Sequence, residues 1–158
     1  MYDYFSDPIG KQCLALAGLC KAKIGFGAVL LKDGNIIGYG RNRRSTAKDR
    51  YEMKYIDCAI HAEQECILDA LRNGNDIRGG AVFVLGKVLI GKNKGKLTTR
   101  RKIEFICHKC PHAFIEFGLS VYIPHVEGWK EMTGEEALAT GRHYYHKGHW
   151  KQFAGGKR

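Results

Sequence analysis

Two short stretches hold side chains that could do chemistry together: His61-Ala62-Glu63, and further along Cys107-His108-Lys109-Cys110. One imidazole and two thiolates spaced C-x-x-C supply three ligands for zinc and leave a fourth position open for water, the arrangement of a catalytic site. Glu63 stands just past the histidine, where it can lie beside the metal without binding it. A carboxylate so placed can carry protons for whatever the activated water attacks. The competing reading is a structural zinc closed by Cys58 or a spare histidine, or core thiols with no metal at all. A structural site has no need of Glu63. One catalytic Zn2+ per chain is therefore expected, and a second, structural zinc is not.

Both stretches read as helix openings, which is how segments so far apart can share one ion. From about His61 to Leu71, residues Cys66, Ile67, Ala70 and Leu71 form an apolar face, and Asn73-Gly74 supplies a stop. Cys107 to Phe117 reads as another helix, ended by Gly118, with Pro111 tolerated in its first turn. Helix N-termini favour anions and so favour thiolate forms of Cys107 and Cys110. Ala81 to Leu85 and Leu119 to Ile123 read as strands flanking that helix, which implies a parallel crossover.

Earlier in the chain, residues 8 to 22 carry a helical stripe of Ile9, Cys13, Leu14, Leu16, Ala17 and Cys20, opened by Pro8. Phe26 to Leu31, the turn Lys32-Asp33-Gly34-Asn35 and Ile36 to Tyr39 make a β-hairpin. Arg41 to Asp57 is polar, basic and without period, and is expected to be a loop over the site. Thr133-Gly134-Glu135-Glu136 is a capping-box sequence that could start a last helix.

The chain has 158 residues and reads as one domain, residues 1–158, with a core from about 8 to 123, a basic insert from about 87 to 105 and an extension from about 125 to 158. Its apolar runs are too short for a membrane helix, and no basic-then-apolar leader opens it. A cytoplasmic, reducing address is expected, so the 6 cysteines read as thiols and ligands. Cys13, Cys20 and Cys66 are expected in the core, and Cys58 as a buried thiol. The formal net charge of +10 gathers in two places. One holds Lys87, Lys92, Lys94, Lys96, Arg100, Arg101 and Lys102 with no acidic residue among them; the other holds Arg41, Arg43, Arg44, Lys48 and Arg50. Such clusters suit phosphate, or are simply solvated. His143, His146 and His149, with Tyr144, Tyr145 and Trp150, read as a basic aromatic surface or tail.

Taken together, these residues resemble the cytidine and deoxycytidylate deaminase superfamily, and most of all its deoxycytidylate deaminase branch. The resemblance spans roughly residues 10 to 123. It rests on Gly27-Ala28-Val29 with Asp33-Gly34 and Ile37-Gly38, on Asn42, on His61-Ala62-Glu63, and on Cys107-x-x-Cys110 before a helix and strand. Ile106 stands where the family has proline, and His108-Lys109 replaces the usual small or apolar pair. The resemblance implies an α/β fold, a three-layer α/β/α sandwich with a central mixed sheet of about five strands. It implies His61, Cys107 and Cys110 as zinc ligands, Glu63 as proton shuttle, Asn42 on the substrate's sugar and the backbone around Ala62 on the base. Hydroxide generated at zinc would attack C4 of cytosine while Glu63 protonates N3 and assists loss of ammonia. It also implies a homo-oligomer.

For substrate, the resemblance and the neighbouring arginines favour a free nucleotide, dCMP, deaminated to dUMP. Arg41, Arg43 and Arg44 are the candidates for its 5′-phosphate. Phe26 and Tyr122 are candidates for stacking on the ring, with core packing the alternative. The other enzymatic reading is a deaminase of cytosine or adenine in tRNA or single-stranded DNA, with the basic insert and aromatic tail holding the strand. A third reading, a non-enzymatic module that senses nucleotides, leaves Glu63 without a task.

Overall fold

The structure, a computed structural model, describes residues 1–98 and 109–146, with the backbone alone for residues 142–146. Helix α1 (Pro8–Ala17) is opened by Asp7, whose Oδ2 accepts the Gly10 N–H at 2.7 Å. It is shorter than the apolar stripe suggested, because Gly18 closes it and the chain then turns into the first strand. Strands β1 (Ile24–Lys32) and β2 (Asn35–Arg41) form the expected hairpin. Its turn places Asp33 at φ 51° and Gly34 at φ 81°, left-handed values that a tight Asp-Gly hairpin turn requires.

The segment expected to be a loop carries more structure than its lack of hydrophobic period suggests. Strand β3 (Arg43–Arg44) pairs with β4 (Ala59–Ile60), and between them lies a short helix, α2 (Ala47–Glu52). Thr46 and Asp49 make a reciprocal capping box at its start, with Thr46 N–H on Asp49 Oδ2 at 2.8 Å and Asp49 N–H on Thr46 Oγ1 at 3.1 Å. A helix that buries mainly one charged side chain shows no apolar stripe.

Helix α3 (Ala62–Arg72), strand β5 (Ala81–Val88), helix α4 (Pro111–Phe117) and strand β6 (Ser120–His125) follow as a crossover, with β5 and β6 parallel. Gly118, at φ 63°, ends α4. Strand β7 (Gly128–Met132), absent from the sequence reading, pairs antiparallel with β6 through a short turn. Helix α5 (Gly134–His146) opens on the foreseen box, with Thr133 N–H on Glu136 Oε1 and Glu136 N–H on Thr133 Oγ1.

The main sheet has five strands in the order β2-β1-β5-β6-β7 and is mixed. Strand alternation divides its side chains between two cores. Val29, Phe83 and Leu85 pack with Cys13 and Leu14 of α1 on one face. Ala28, Leu30, Val82, Val84, Val121 and Ile123 pack with Ile67 of α3, Phe114 of α4 and Ala137 of α5 on the other. This is the anticipated three-layer α/β fold. Among the described residues no helix is long and apolar enough to cross a membrane.

Candidate active site

The C-terminal end of β5 gathers the N-terminal residues of β1, the end of β2 and the starts of α3 and α4. Helix α3 lies with its backbone directly on β2. A Cβ on Gly40 would collide with the Ala62 carbonyl, and one on Gly38 with the Cys66 carbonyl, so only glycine lets the helix sit this low. Ala62, at the first helical position, is fully buried by that approach.

His61 is the residue before the helix, in extended geometry, and its N–H donates to Gln64 Oε1 at 2.9 Å. Gln64 is buried, and its Nε2 donates to the Tyr55 carbonyl at 3.4 Å. Tyr55 itself is held at φ 72° and stacks on His112 of α4, with ring centroids 4.1 Å apart. An ion pair between Lys109 and Asp57 ties the same loop to the approach to α4. The Tyr55–His112 and Lys109–Asp57 clamps were not apparent in the sequence, because each joins segments more than fifty residues apart in it.

Cys110 is the residue that caps α4, one position before Pro111, so the helix starts later than the expected Cys107. Its Sγ stands 3.3 Å from His61 Nδ1. Two ligands of a tetrahedral zinc at ordinary N and S distances lie about 3.6 Å apart. The pair therefore fits a shared ion. Cys107 lies outside the described residues, and among those described no group of three His, Cys, Asp or Glu side chains could hold a metal. Glu63, in the first turn of α3, is only 7% exposed, and its carbonyl accepts the Cys66 thiol at 3.2 Å. Burial pushes the Cys66 thiol well up, as it does that of Cys13, to about 12. These two are core thiols. Cys58 is exposed, contrary to expectation, because the chain leaves the core before β4 and only Ile60 of that strand points inward.

Asn42 closes the end of β2. Its Oδ1 accepts the Phe26 N–H at 2.6 Å and the Cys20 thiol at 3.0 Å, which fixes the amide plane and leaves Nδ2 as its available donor. Phe26 is half-buried on the α3 face of the sheet, its ring over Gly86. Tyr122 is placed differently. It follows Val121 and precedes Ile123, both on the α3 face, so alternation turns it to the α1 face, where it stacks on Phe83 at 4.4 Å and donates to Glu131. The stacking role expected for Tyr122 is thereby corrected, and core packing is what it does.

The arginines divide as well. Arg43 is held by carboxylates on both sides: its Nε meets Glu65, and Nη1 and Nη2 meet the two oxygens of Asp49 at 2.8 and 3.3 Å. Asp49, 1% exposed, also receives Arg72 Nη2 at 2.9 Å. The Arg43 guanidinium, then the Thr46 N–H and Arg72, hold the Asp49 carboxyl well below the usual carboxylate range despite its burial. Arg43 thus buttresses α2 and α3, which corrects its expected phosphate role. Arg41 gives its N–H to Glu65 Oε1 at 2.7 Å and its Nη1 to the Leu19 carbonyl at 3.0 Å. The Arg44 side chain is exposed.

Comparison with solved structures agrees with the fold described above. The dCMP deaminase of cyanophage S-TIM5 superposes with a TM-score of 0.54 in its apo form, at 16% identity over 89% of this chain and 94% of that one. Its complex with dCMP and dUMP gives 0.52 at 16% identity, covering 89% and 93%. A cytidine deaminase from Burkholderia pseudomallei gives 0.52 at 20% identity, covering 80% and 91%. No match is found among curated proteins by sequence. A sequence profile described as the cytidine and deoxycytidylate deaminase zinc-binding region matches residues 9–124, most of the chain. The chain belongs to that deaminase family.

Proposed function

We propose that this deaminase is zinc-dependent and acts on a cytosine nucleotide, converting dCMP and water to dUMP and ammonia. The observation that carries the reading is the His61 Nδ1 and Cys110 Sγ pair, 3.3 Å apart, at the helix start that also buries Glu63. His61, Cys110 and Cys107 would hold the ion. Zinc, when bound there, supplies a Lewis acid that brings the pKa of water to about 7.

The remaining work falls to the chain's own side chains. Glu63 takes a proton from the attacking water and passes it to N3 of the ring. Once the C4–O bond has formed, the same carboxyl takes the second proton from the new C4 hydroxyl and delivers it to the amino group, which leaves as ammonia as the C4–N bond breaks and the C4 carbonyl forms. Its burial keeps that proton from exchanging freely with bulk solvent. Asn42, its carbonyl already fixed by Phe26 N–H, offers Nδ2 to a sugar hydroxyl. The Ala62 backbone borders the base and the Phe26 ring flanks it. Arg44 and the uncommitted nitrogens of Arg41 are the phosphate contacts. A protein of the same fold has been seen with dCMP and dUMP, in keeping with a monophosphate substrate.

Ammonia release from a matched panel of cytidine, dCMP, dCTP, their adenine and guanine counterparts and one oligonucleotide tests the proposal. Turnover confined to a cytosine monophosphate is expected; turnover of adenine compounds alone overturns it. Glu63→Ala should retain zinc by metal analysis yet lose roughly 10²- to 10⁴-fold in kcat. Undiminished turnover in that variant would sink the mechanism.

A further inference from the structure

The second basic cluster takes no part in the site described so far. Beyond its pairing with β6, strand β5 folds back on itself. Val88 N–H donates to the Lys96 carbonyl at 2.9 Å, Gly95 N–H to the Val88 carbonyl at 2.8 Å, and Thr98 N–H to the Gly86 carbonyl at 3.1 Å. Gly91 and Gly95, at φ 97° and 88°, let the chain turn. The hairpin is pinned to the start of β1, where Ile24 lies opposite Val88 and Leu89 N–H donates to the Lys23 carbonyl at 2.8 Å.

This fold-back brings two lysine-bearing segments to one place. Lys21, Lys23, Lys92, Lys94 and Lys96 are exposed there, and Lys87 Nζ reaches over Gly18 at the end of α1. Among the described residues none of these six forms an ion pair, whereas Lys32, Arg43, Lys48, Arg72 and Lys109 all do. Between the hairpin, the start of β1 and the N-terminal residues lies a cleft of about 700 Å³. Lys23, Lys92 and Lys96 rim it, Phe5 and Ile90 stand exposed beside the buried Ile24, and among the described residues no acidic side chain lines it. Thr98 forms part of its wall and sits beside the Phe26 ring over Gly86, so the cleft runs toward the candidate active site.

The geometry points to a binding site for single-stranded nucleic acid in this cleft. A cationic rim tracks a phosphate backbone, and exposed apolar side chains that include the aromatic ring of Phe5 can receive unstacked bases, which a duplex keeps covered. The site does not depend on which cytosine compound the enzyme turns over.

The test is fluorescence anisotropy with a labelled thymidine 20-mer, which contains no cytosine and so separates binding from turnover. Binding should weaken steeply with salt. The Lys92→Glu/Lys94→Glu/Lys96→Glu variant should lose about tenfold or more in affinity at low salt, and the slope of log affinity against log salt should fall by about 2. A control of equal charge change, Lys11→Glu/Lys54→Glu/Lys130→Glu, should bind nearly as the parent does, and dCMP turnover should persist in both. Absence of binding at low salt overturns the proposal. So does an equal loss in the control, which would mean net charge alone is read, or equal binding of the parent to anionic phospholipid vesicles.

Discussion

The two basic clusters look alike as strings of letters and behave oppositely in the fold. Around Arg43 the charges are matched: Asp49 and Glu65 enclose its guanidinium, and Arg72 completes the set from the far end of α3. Around Lys92 to Lys96 no carboxylate approaches among the described residues. Arg43 of the first cluster is therefore part of what holds α2 against α3 beneath the site, while the second cluster is left to meet something from outside. Positive charge by itself does not mark a phosphate site; the test is whether the folded chain already supplies the anion.

The largest expected effect on stability tests the matched side. Arg43→Ala leaves a buried carboxylate with only part of its hydrogen bonding, and should lower stability by about 2 to 3 kcal/mol in urea unfolding. A neutral result would make this cluster ordinary surface charge and erase the contrast. The pH dependence sharpens it further. Because the Asp49 carboxyl is held below its unfolded value of about 3.9, its contribution is present above that pH and is lost as pH falls through the folded value. Thermal melts should show stability declining below about pH 4, with a flatter acid limb in Asp49→Asn.

Smaller effects belong to the unmatched side. Reversing Lys92, Lys94 and Lys96 should change unfolding free energy by no more than about 0.5 kcal/mol, since among the described residues none has an ion-pair partner to lose. A larger loss would reveal a structural role. Arg44→Ala should be equally mild in stability while raising KM for dCMP and leaving cytidine nearly unaffected. Equal effects on nucleotide and nucleoside would remove Arg44 from the proposed phosphate contacts.

Much of the fold was legible because its signals are local. Asp33-Gly34 specifies a turn by the backbone angles those residues tolerate, and Thr133 with Glu136 starts a helix by satisfying N–H groups within a single turn. Thr46 and Asp49 carry the same kind of signal for α2, but its polar surface hid the helix from a search for hydrophobic period. Strand β7 escaped because five residues with little burial offer a weak pattern.

From the sequence alone came the candidate ligand types, the carboxylate beside them and the order of the main strands and helices apart from β3, α2, β4 and β7, since ligand spacing, caps and turn angles are settled within a few residues. The tertiary structure alone decided that Cys110 meets His61, that Tyr122 faces α1, that Cys58 lies outside, and that Arg43 is taken while, among the described residues, the hairpin lysines are not. Those outcomes depend on which distant groups the packed sheet brings within a few ångströms, and electrostatic and hydrogen-bond partnership is set by that distance, not by separation along the chain.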